Sequence, residues 1–441
     1  MNRLRCKKKD KSKVSIEIDS QPISINPLKT LDYNGKLICN TLYEPLKHGV
    51  NCKIISNDCL NEYTIEIFQD YFESKITANN FVQAILLHLN KQYKSPYIKD
   101  FLQIKNAILY LMGEKDINTL GIAIISKYSF RIELERTCSY FLNILESPFL
   151  IPINGQNKPI NNGPYTISDI SNKEINLIRN KNYFINDVSN VKNINFLLNN
   201  NIKESVDLYK NHYLDITCHT QFHHEFLHLD CYDDFERLNS NLFFYLDIRN
   251  KVVFDLLSKD GTQLSIPESL KRILKPISSY IGERNISKET SLSIRLDEFN
   301  PVKIIYCDYY PNDLIIEHLM HLLDSIGIEV EVTSIKDFNE FRSIDTKKYD
   351  ICLKLFVPHY EHYSSIIMTL LWDVKSNDKR KQIINALRRD NTLELSRIMN
   401  RTDHTIPIFK GDSIFLKDCD IIGYNLNEYG YLSVRNLRYK E

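Results

Sequence analysis

Five of the twelve histidines of the chain lie between His212 and His228, close to Cys218 and Cys231. Two pairs in this group are four residues apart, namely His219 with His223 and His224 with His228. On a helix that spacing places both imidazoles on one face, as a bound metal ion requires. Imidazole and thiolate are suitable ligands for Zn²⁺ and Ni²⁺. A loop of partly exposed histidines is the alternative interpretation, and the sequence alone assigns no metal site.

The patterns of a serine nucleophile and of a nucleotide-binding loop are missing from the sequence. No G-x-S-x-G motif marks a nucleophilic serine, and the twelve glycines form neither a Walker loop nor a dinucleotide-binding loop. Cys218 and His219 are adjacent, but a catalytic thiolate also needs a lowered pKa and an orienting partner. We therefore expect a protein that is not an enzyme, with no catalytic residue and no cofactor.

Charge and cysteine content limit the classes of partner. The 441 residues carry 56 basic and 56 acidic side chains, so the formal charge is zero, which argues against a nucleic-acid-binding protein. The ten cysteines include no C-x-x-C pair and are typical of reduced thiols in a reducing compartment. No run of apolar residues reaches the roughly 18 that a membrane-spanning helix needs.

The N-terminal residues 1–13 are strongly basic, and we expect them to be disordered. No apolar stretch follows them, so they lack the pattern of a secretory signal. If a leader preceded Cys6 in the native protein, this cysteine would be positioned to carry a lipid.

The spacing of apolar residues predicts a mixed α/β chain. Val14–Ile18 and Glu62–Ile67 alternate as half-buried strands do, and Thr77 has the position of an N-cap before a helix. Residues 140–145 and 376–399 are predicted to be helical. Further strands are predicted at residues 121–125, 130–134, 165–167, 175–179, 191–197 and 349–356, and short strands near residues 408, 414 and 421.

The clearest local unit runs from Val302 to Val332. An apolar strand precedes a helix that Asn312 is expected to cap, Gly327 has the position of a C-terminal cap, and a second apolar strand follows. This strand–helix–strand crossover predicts a parallel or mixed sheet with covering helices in at least one lobe.

Six short motifs occur in a fixed order along the chain: Asn26-Pro27, Leu42-Tyr43-Glu44-Pro45-Leu46, Ile76-Thr77-Ala78-Asn79-Asn80, Asn162-Gly163-Pro164-Tyr165, Asn180-Lys181-Asn182-Tyr183 and Leu214-Asp215-Ile216. In order and spacing they resemble the solute-binding proteins of ABC importers that bind peptides and nickel (family 5). This chain resembles a shortened and divergent member, and the correspondence runs from about Val14 to Arg438.

The resemblance implies an α/β, two-lobed, periplasmic-binding-protein-like fold (type II, cluster C) with an extra subdomain and an interlobe cleft. Lobe I would comprise residues 14–46, 160–235 and 405–441, the extra subdomain residues 47–159, and lobe II residues 236–404. The implied function is capture of an oligopeptide-like or other small polar solute by lobe closure. A monomer would deliver this ligand to an ABC transporter permease from an extracytoplasmic, membrane-associated location.

The candidate ligand-binding residues lie where such a fold receives its ligand. Clefts in α/β proteins bind ligands after the carboxyl ends of strands, and tyrosines there offer an apolar ring with a polar tip. The candidates are Tyr33, Asn34, Cys218, His219, Tyr309, Tyr310, Phe356, His359 and Tyr360.

Two features separate the chain from the peptide binders of this family. The resemblance implies an Asp in lobe II that captures the ligand amine in peptide binders, whereas the matching stretch Leu355–His362 of this chain has no Asp. Residues Phe243–Arg249 resemble the sensor domain of winged-helix regulators that bind sugar phosphates. The alternative is therefore a cytoplasmic small-molecule sensor or biosynthetic accessory protein without the DNA-binding domain, which the missing signal and the ten cysteines support.

Overall fold

The computed structural model describes residues 2–8, 10–72, 75–183, 191–257, 274–276, 300–362, 364–370, 377–389, 391, 394–395, 405–427 and 429–441. The strands within these ranges are β1 (Lys13–Ile18), β2 (Cys52–Ser56), β3 (Glu62–Ile67), β4 (Ile122–Ser126), β5 (Ser129–Glu133), β6 (Tyr165–Ile170), β7 (Glu174–Arg179), β8 (Asn193–Leu198), β9 (Phe235–Ile248), β10 (Leu274–Pro276), β11 (Val302–Cys307), β12 (Val330–Ile335), β13 (Ile351–Phe356), β14 (Thr405–Leu416), β15 (Ile421–Ile422), β16 (Asn425–Leu426), β17 (Leu432–Ser433) and β18 (Arg438–Tyr439).

The described α-helices are short, and the longest follows β11. They are α1 (Tyr33–Leu42), α2 (Ala78–His88), α3 (Ala107–Met112), α4 (Phe141–Leu145), α5 (Ser205–Lys210), α6 (Lys251–Leu257), α7 (Asn312–Ser325), α8 (Phe338–Ser343), α9 (Ser364–Leu370) and α10 (Asn377–Arg388). Among the described residues no helix has the length and apolar composition that crossing a membrane requires.

Lobe I is built on a sheet with the strand order β1-β8-β7-β6, in which β1 and β8 run parallel. The predicted strand Val14–Ile18 is confirmed, and its residues are buried in the core of this lobe. Helix α1 packs on the same core, and Gly163 of the N-G-P-Y motif approaches its end. A Cβ at Gly163 would lie 2.6 Å from the carbonyl carbon of Leu42, so only glycine fits there.

The extra subdomain contains the antiparallel sheet β2-β3-β5-β4. Helix α2 covers it, and the predicted N-cap is confirmed because the backbone N–H of Thr77 donates to Asn80 Oδ1 at 2.8 Å. Residues of α9 and α10 join the same core, although the sequence assigns them to lobe II. They include Ile367, Ile383 and Leu387.

Lobe II contains a sheet with the strand order β10-β14-β9-β13-β11-β12. Strand β11 runs parallel to β12 and β13, so the predicted crossover is confirmed, with Gly327 at φ 78° after α7. The predicted cap was wrong. Pro311 is the N-cap of α7, and the Asn312 side chain instead donates to the carbonyl oxygen of Cys307 at 3.0 Å.

One long strand, β14, replaces the two short strands predicted near residues 408 and 414. It pairs with β9 in an antiparallel arrangement that shifts register between Pro407 and Phe409 and again between Gly411 and Ser413. These bulges interrupt the alternation of apolar residues, which explains why the sequence suggested separate strands. The predicted helix over 376–399 is found over Asn377–Arg388 as α10, and residues 376, 390, 392–393 and 396–399 lie outside the described residues.

The basic N-terminus is ordered over residues 2–8, contrary to the expected disorder. Arg5 is buried and its Nη2 contacts Asp215 Oδ1 at 2.9 Å and Asp418 Oδ2 at 2.6 Å. The backbone N–H of Leu4 also donates to Asp234 Oδ2 at 2.6 Å. The expectation failed because it treated the positive charges as solvated, whereas buried carboxylates of lobe I pair with them.

Candidate functional site

A cavity of about 230 Å³ lies between the two lobes, and we call it the cleft cavity. Lobe I contributes the residues that follow β1 and those that begin α1, together with Thr220 and Gln221. Lobe II contributes Tyr309 after β11, two side chains of α8 and the end of β13. The wall therefore follows the carboxyl ends of strands from both lobes, which is where α/β clefts receive ligands.

Asp19 gives the lobe I wall a fixed negative charge. Its Oδ1 accepts hydrogen bonds from Asn34 Nδ2 at 2.6 Å and from Ser20 Oγ at 3.0 Å. Its Oδ2 accepts from Thr220 Oγ1 at 3.1 Å. A carboxylate has about four acceptor positions, so these three donors orient Asp19 and leave it able to accept one more hydrogen bond.

Arg342 gives the lobe II wall a positive charge. It lies on α8, its guanidinium carbon is 5.6 Å from the centre of the Phe338 ring, and both side chains line the cavity. The Nη1 of Arg342 is buried and has no hydrogen-bond partner within the described part of the chain. Tyr33 Oη is likewise buried without a hydrogen-bond partner among the described residues. Buried donors without partners are costly, so these two groups are candidates for contact with the acceptor atoms of a ligand.

Four of the residues predicted from the sequence line the cleft cavity. They are Tyr33, Asn34, Tyr309 and Phe356. Burial raises the pKa of both Tyr33 and Tyr309, so their hydroxyls stay protonated at neutral pH. These hydroxyls can donate to a ligand, while the rings supply apolar surface.

Cys218 and His219 lie beneath the cavity wall and do not line it. Cys218 is buried with its backbone N–H donating to Glu17 Oε2 at 2.9 Å, and burial raises the pKa of its thiol. His219 Nε2 lies 2.9 Å from Tyr424 Oη, and burial lowers the pKa of His219 to about 3. A protonated thiol beside a neutral, hydrogen-bonded imidazole is not the activated pair that nucleophilic catalysis requires.

Tyr310, His359 and Tyr360 also lie away from the cleft cavity. Tyr310 packs edge-on against Phe222, with 5.2 Å between the ring centres. Tyr360 is fully buried in the subdomain core, and its Oη lies 3.0 Å from Ser364 Oγ. His359 is 5.3 Å from the Phe356 ring and faces Lys36 of α1. The sequence placed these three correctly near the ends of strands but could not show which way each side chain turns.

The histidine pairs predicted from the four-residue spacing do not form. His219 is buried against Tyr424, and His224–His228 form a 3₁₀ helix, in which residues four apart do not share a face. Residues His224–His228 also match H-E-x-x-H, a zinc-protease pattern that the sequence analysis did not recognise. That pattern needs an α-helix to bring its two histidines together. The structure instead groups His223, His224 and Glu225, whose ligand atoms lie within 4.8 Å of one another.

A second cavity, of about 270 Å³, lies between lobe I, the subdomain and the C-terminal segment. Its main buried acid, Glu44, already accepts hydrogen bonds from Tyr71 and Tyr183 and contacts Arg435. Glu44 is therefore already hydrogen-bonded and paired within the protein. For this reason the cleft cavity, with its orphaned donors, is the better candidate for a ligand site.

Comparison with solved structures identifies the fold. A periplasmic oligopeptide-binding protein of Borrelia burgdorferi superposes with a TM-score of 0.79, covering 97% of this chain and 100% of that chain at 16% identity. OppA of Listeria monocytogenes bound to peptide gives 0.78, covering 98% and 100% at 16% identity. The chain has the oligopeptide-binding-protein fold. The two-lobed α/β architecture expected from the sequence is thus confirmed.

The sequence comparisons are weaker than the structural ones. No model of a known protein family matches the chain. A dipeptide-binding protein of Lactococcus lactis subsp. cremoris is 25% identical over 161 residues, which span 32% of this chain and 29% of that protein. The similarity of this chain to the oligopeptide-binding proteins therefore lies in its fold rather than in extended sequence identity.

Within this oligopeptide-binding-protein fold, the sequence analysis missed the two charged residues of the cleft cavity. Asp19 directly follows the predicted strand Val14–Ile18, so its position at a carboxyl strand end was a usable signal. Arg342 lies on the six-residue helix α8. Nothing in the local pattern of charges distinguishes it from a solvated arginine.

Lys36 connects lobe I to the segment that follows β13. Its Nζ lies 3.0 Å from His359 Nδ1 and 3.5 Å from the carbonyl oxygens of Val357 and Pro358. Burial lowers the pKa of Lys36 to about 7, although Asp32 nearby raises it. Burial, and then the charges of Lys36 and Lys99, lower the pKa of His359. This buried pair holds the two lobes together beside the cleft cavity.

The Lys36 contact predicts a specific pH dependence of stability. The unfolded chain keeps the Lys36 proton up to a pH near 10.5, the ordinary pKa of a lysine, whereas the folded protein releases it above about pH 7. Between these values the unfolded state binds more protons, so stability rises with pH, by up to about 1.4 kcal/mol per pH unit. From pH 7 to pH 8.5, the unfolding free energy of the wild-type protein should therefore rise by about 2 kcal/mol relative to that of Lys36→Met.

Urea denaturation of both proteins at the two pH values measures this difference. Lys53→Met is the matched control, because Lys53 is an exposed lysine on β2, and its difference from the wild type should be the same at both pH values. A Lys36→Met difference that does not vary with pH would show that Lys36 is protonated in the folded protein throughout this range.

Proposed function

We propose that the chain is the peptide-binding component of an ABC importer and holds a short peptide in the cleft cavity. The observation that carries this proposal is the charge arrangement of the cavity, with Asp19 oriented on lobe I and Arg342 Nη1 on lobe II without a hydrogen-bond partner among the described residues. A peptide with free ends has an ammonium group that suits Asp19 and a carboxylate that suits Arg342. Asp19 would thereby replace the lobe II Asp that this sequence lacks.

The size and lining of the cavity support a small ligand. Its volume of about 230 Å³ equals that of roughly eight water molecules in the liquid, which suits a dipeptide or tripeptide. Aromatic side chains from both lobes supply apolar surface for the peptide side chains: Tyr33, Tyr309, Phe338 and Phe356.

Lobe closure is the mechanism we propose for retaining the peptide. This proposal is supported by two structures of the murein tripeptide binding protein MppA, because the chain superposes less well on the open form than on the other structure. The chain matches one of them with a TM-score of 0.76 over 98% of this chain and 99% of that one, at 15% identity. It matches the unliganded open form with only 0.60, at 15% identity over 98% of both chains. A ligand that contacts both lobes favours the closed state by its differential affinity, and no chemical step is needed.

A thermal-shift assay with alanine peptides of two to five residues tests the proposal. Peptides with free ends should raise the melting temperature, because a ligand at 100 times its Kd stabilises the folded state by about 2.7 kcal/mol. Peptides of the same length with acetylated and amidated ends are the matched control and should give little or no shift. If no peptide of any length or charge changes the melting temperature, the chain is not a peptide-binding protein.

We also propose an extracytoplasmic, membrane-associated location, which the similarity in fold to the periplasmic protein of Borrelia burgdorferi supports. The second candidate function is a cytoplasmic small-molecule sensor, which the ten free cysteines favour. Six of these thiols are nevertheless compatible with an extracytoplasmic location, because they are buried and so are shielded from oxidants outside the cytoplasm. They are Cys39, Cys52, Cys138, Cys218, Cys307 and Cys352. Finding the native protein only in the cytosol would reject the importer function and leave the sensor.

A further inference from the structure

We propose that His223, His224 and Glu225 bind one divalent transition-metal ion, such as Zn²⁺ or Ni²⁺, where the chain leaves lobe I for lobe II. The three side chains each offer one ligand atom, and these atoms lie within 4.8 Å of one another. Imidazole nitrogens and a carboxylate oxygen form a donor set that suits Zn²⁺ and Ni²⁺ better than Mg²⁺. This site is separate from the cleft cavity and does not depend on peptide binding.

The ligand atoms are near enough for side-chain rotations to bring them onto one ion. Ligand atoms at about 2.1 Å from a tetrahedral Zn²⁺ are roughly 3.4 Å apart. His223 Nδ1 and Glu225 Oε2 are already 3.7 Å apart. The centres of the two imidazole rings are 4.1 Å apart. Since 67% of the Glu225 side chain is exposed, its carboxylate can swing toward a metal without disturbing the core.

An unused nitrogen is the second observation that points to a ligand. His223 Nδ1 is buried at the atomic level and has no hydrogen-bond partner within the described residues. Glu225 is too distant for a hydrogen bond but near enough to share a metal ion with it. Lys203 is the neighbouring positive charge on His223, and it is the group that would oppose a bound cation.

The residues on either side of the site hold it in place. Phe222 and Phe226 are 5% and 1% exposed and pack in the core of lobe II. Gln221, two residues before His223, lines the cleft cavity. Three protein ligands leave at least one coordination position open, so the site is of the open rather than the closed structural kind.

The other candidate metal cluster among the described residues is already occupied by protein groups. It consists of Asp234, Asp418 and Cys419. Asp418 is paired with Arg5, and Asp234 accepts the Leu4 N–H. A metal ion there would have to displace a buried arginine, which leaves the histidine cluster as the site we propose.

Isothermal titration of Zn²⁺ into the untagged full chain tests the proposal. We expect one Zn²⁺ per chain and no binding of Mg²⁺. His223→Gln, His224→Gln and Glu225→Gln should each weaken Zn²⁺ binding by more than about tenfold, since even the loss of an outer-shell partner costs 10–100-fold. His228→Gln and Cys419→Ser are the matched controls and should bind Zn²⁺ as the wild type does. Melting temperatures without metal verify that every variant is folded.

Three outcomes would overturn the proposal. The first is a wild-type protein that does not bind Zn²⁺. The second is loss of binding in His228→Gln with retention in His223→Gln, which would mean that residues 224–228 form an α-helix and bind the metal through the H-E-x-x-H pattern. The third is binding that none of the three ligand substitutions affects, which would place the ion at a different site.

Discussion

Arg342→Ala should lower the affinity for a dipeptide with a free carboxylate by at least about 30-fold. Arg342 Nη1 has no partner in the described chain, so the proposed ligand carboxylate is its hydrogen-bond acceptor. Removing one member of a buried charge pair across a binding interface costs about 2–5 kcal/mol, and 2 kcal/mol corresponds to about 30-fold. Isothermal titration of alanyl-alanine into both proteins measures the effect.

Blocked peptides separate recognition by Arg342 from a general loss of the site. With the C-terminus amidated, the wild type and Arg342→Ala should bind with similar affinity, because the charge that Arg342 contacts is gone. With the peptide N-terminus acetylated, the wild type and Asp19→Asn should likewise bind with similar affinity, because the ammonium charge that Asp19 contacts is gone. Arg131→Ala changes an exposed arginine on β5 and should leave all of these affinities unchanged. If Arg342→Ala lowers the affinity for amidated and free peptides equally, Arg342 does not contact the peptide carboxylate directly.

Arg5→Ala should destabilise the fold by about 3–5 kcal/mol, because it leaves two buried carboxylates without their main partner. The Arg5 side chain is 2% exposed, and those of Asp215 and Asp418 are 0% and 4% exposed. Arg5 also donates to the carbonyl oxygen of Leu214 at 2.6 Å and lies 4.3 Å over the Tyr209 ring. Lys8 contacts Asp215 but does not compensate Asp418.

Urea denaturation followed by circular dichroism measures this loss of stability. Lys105→Ala is the matched control, since the Lys105–Glu133 pair is 45% and 44% exposed and such pairs contribute at most about 1 kcal/mol. If Arg5→Ala unfolds at the same urea concentration as Lys105→Ala, residues 2–8 do not form part of the folded lobe I.

Much of the fold could be predicted from the sequence because apolar periodicity reports burial directly. The strand Val14–Ile18 and the crossover from Val302 to Val332 were recognisable for this reason, as was the order of the six motifs. The bulged strand β14 was not, since each bulge reverses the face that successive side chains occupy. The ordered N-terminus was missed because its partners are more than 200 residues away in sequence.

The cleft cavity was predictable only in part. Tyr33, Asn34, Tyr309 and Phe356 line it because they follow or begin elements at the carboxyl edge of a sheet. The direction in which a side chain turns depends on tertiary packing, so the sequence could not separate Phe356 from His359, which faces Lys36. The histidine spacing was misleading because it assumed an α-helix where the chain forms a 3₁₀ helix.

Hydrogen exchange with and without alanyl-alanine tests the central claim, peptide binding between the lobes, most directly. A saturating peptide should slow amide exchange in the segments of both lobes that line the cleft cavity, residues 19–23 and 355–357. Exchange in the exposed strand β4 of the subdomain should not change. Unchanged exchange everywhere, or protection confined to residues 425–427 and 431–435 beside the second cavity, would show that the peptide does not bind between the lobes.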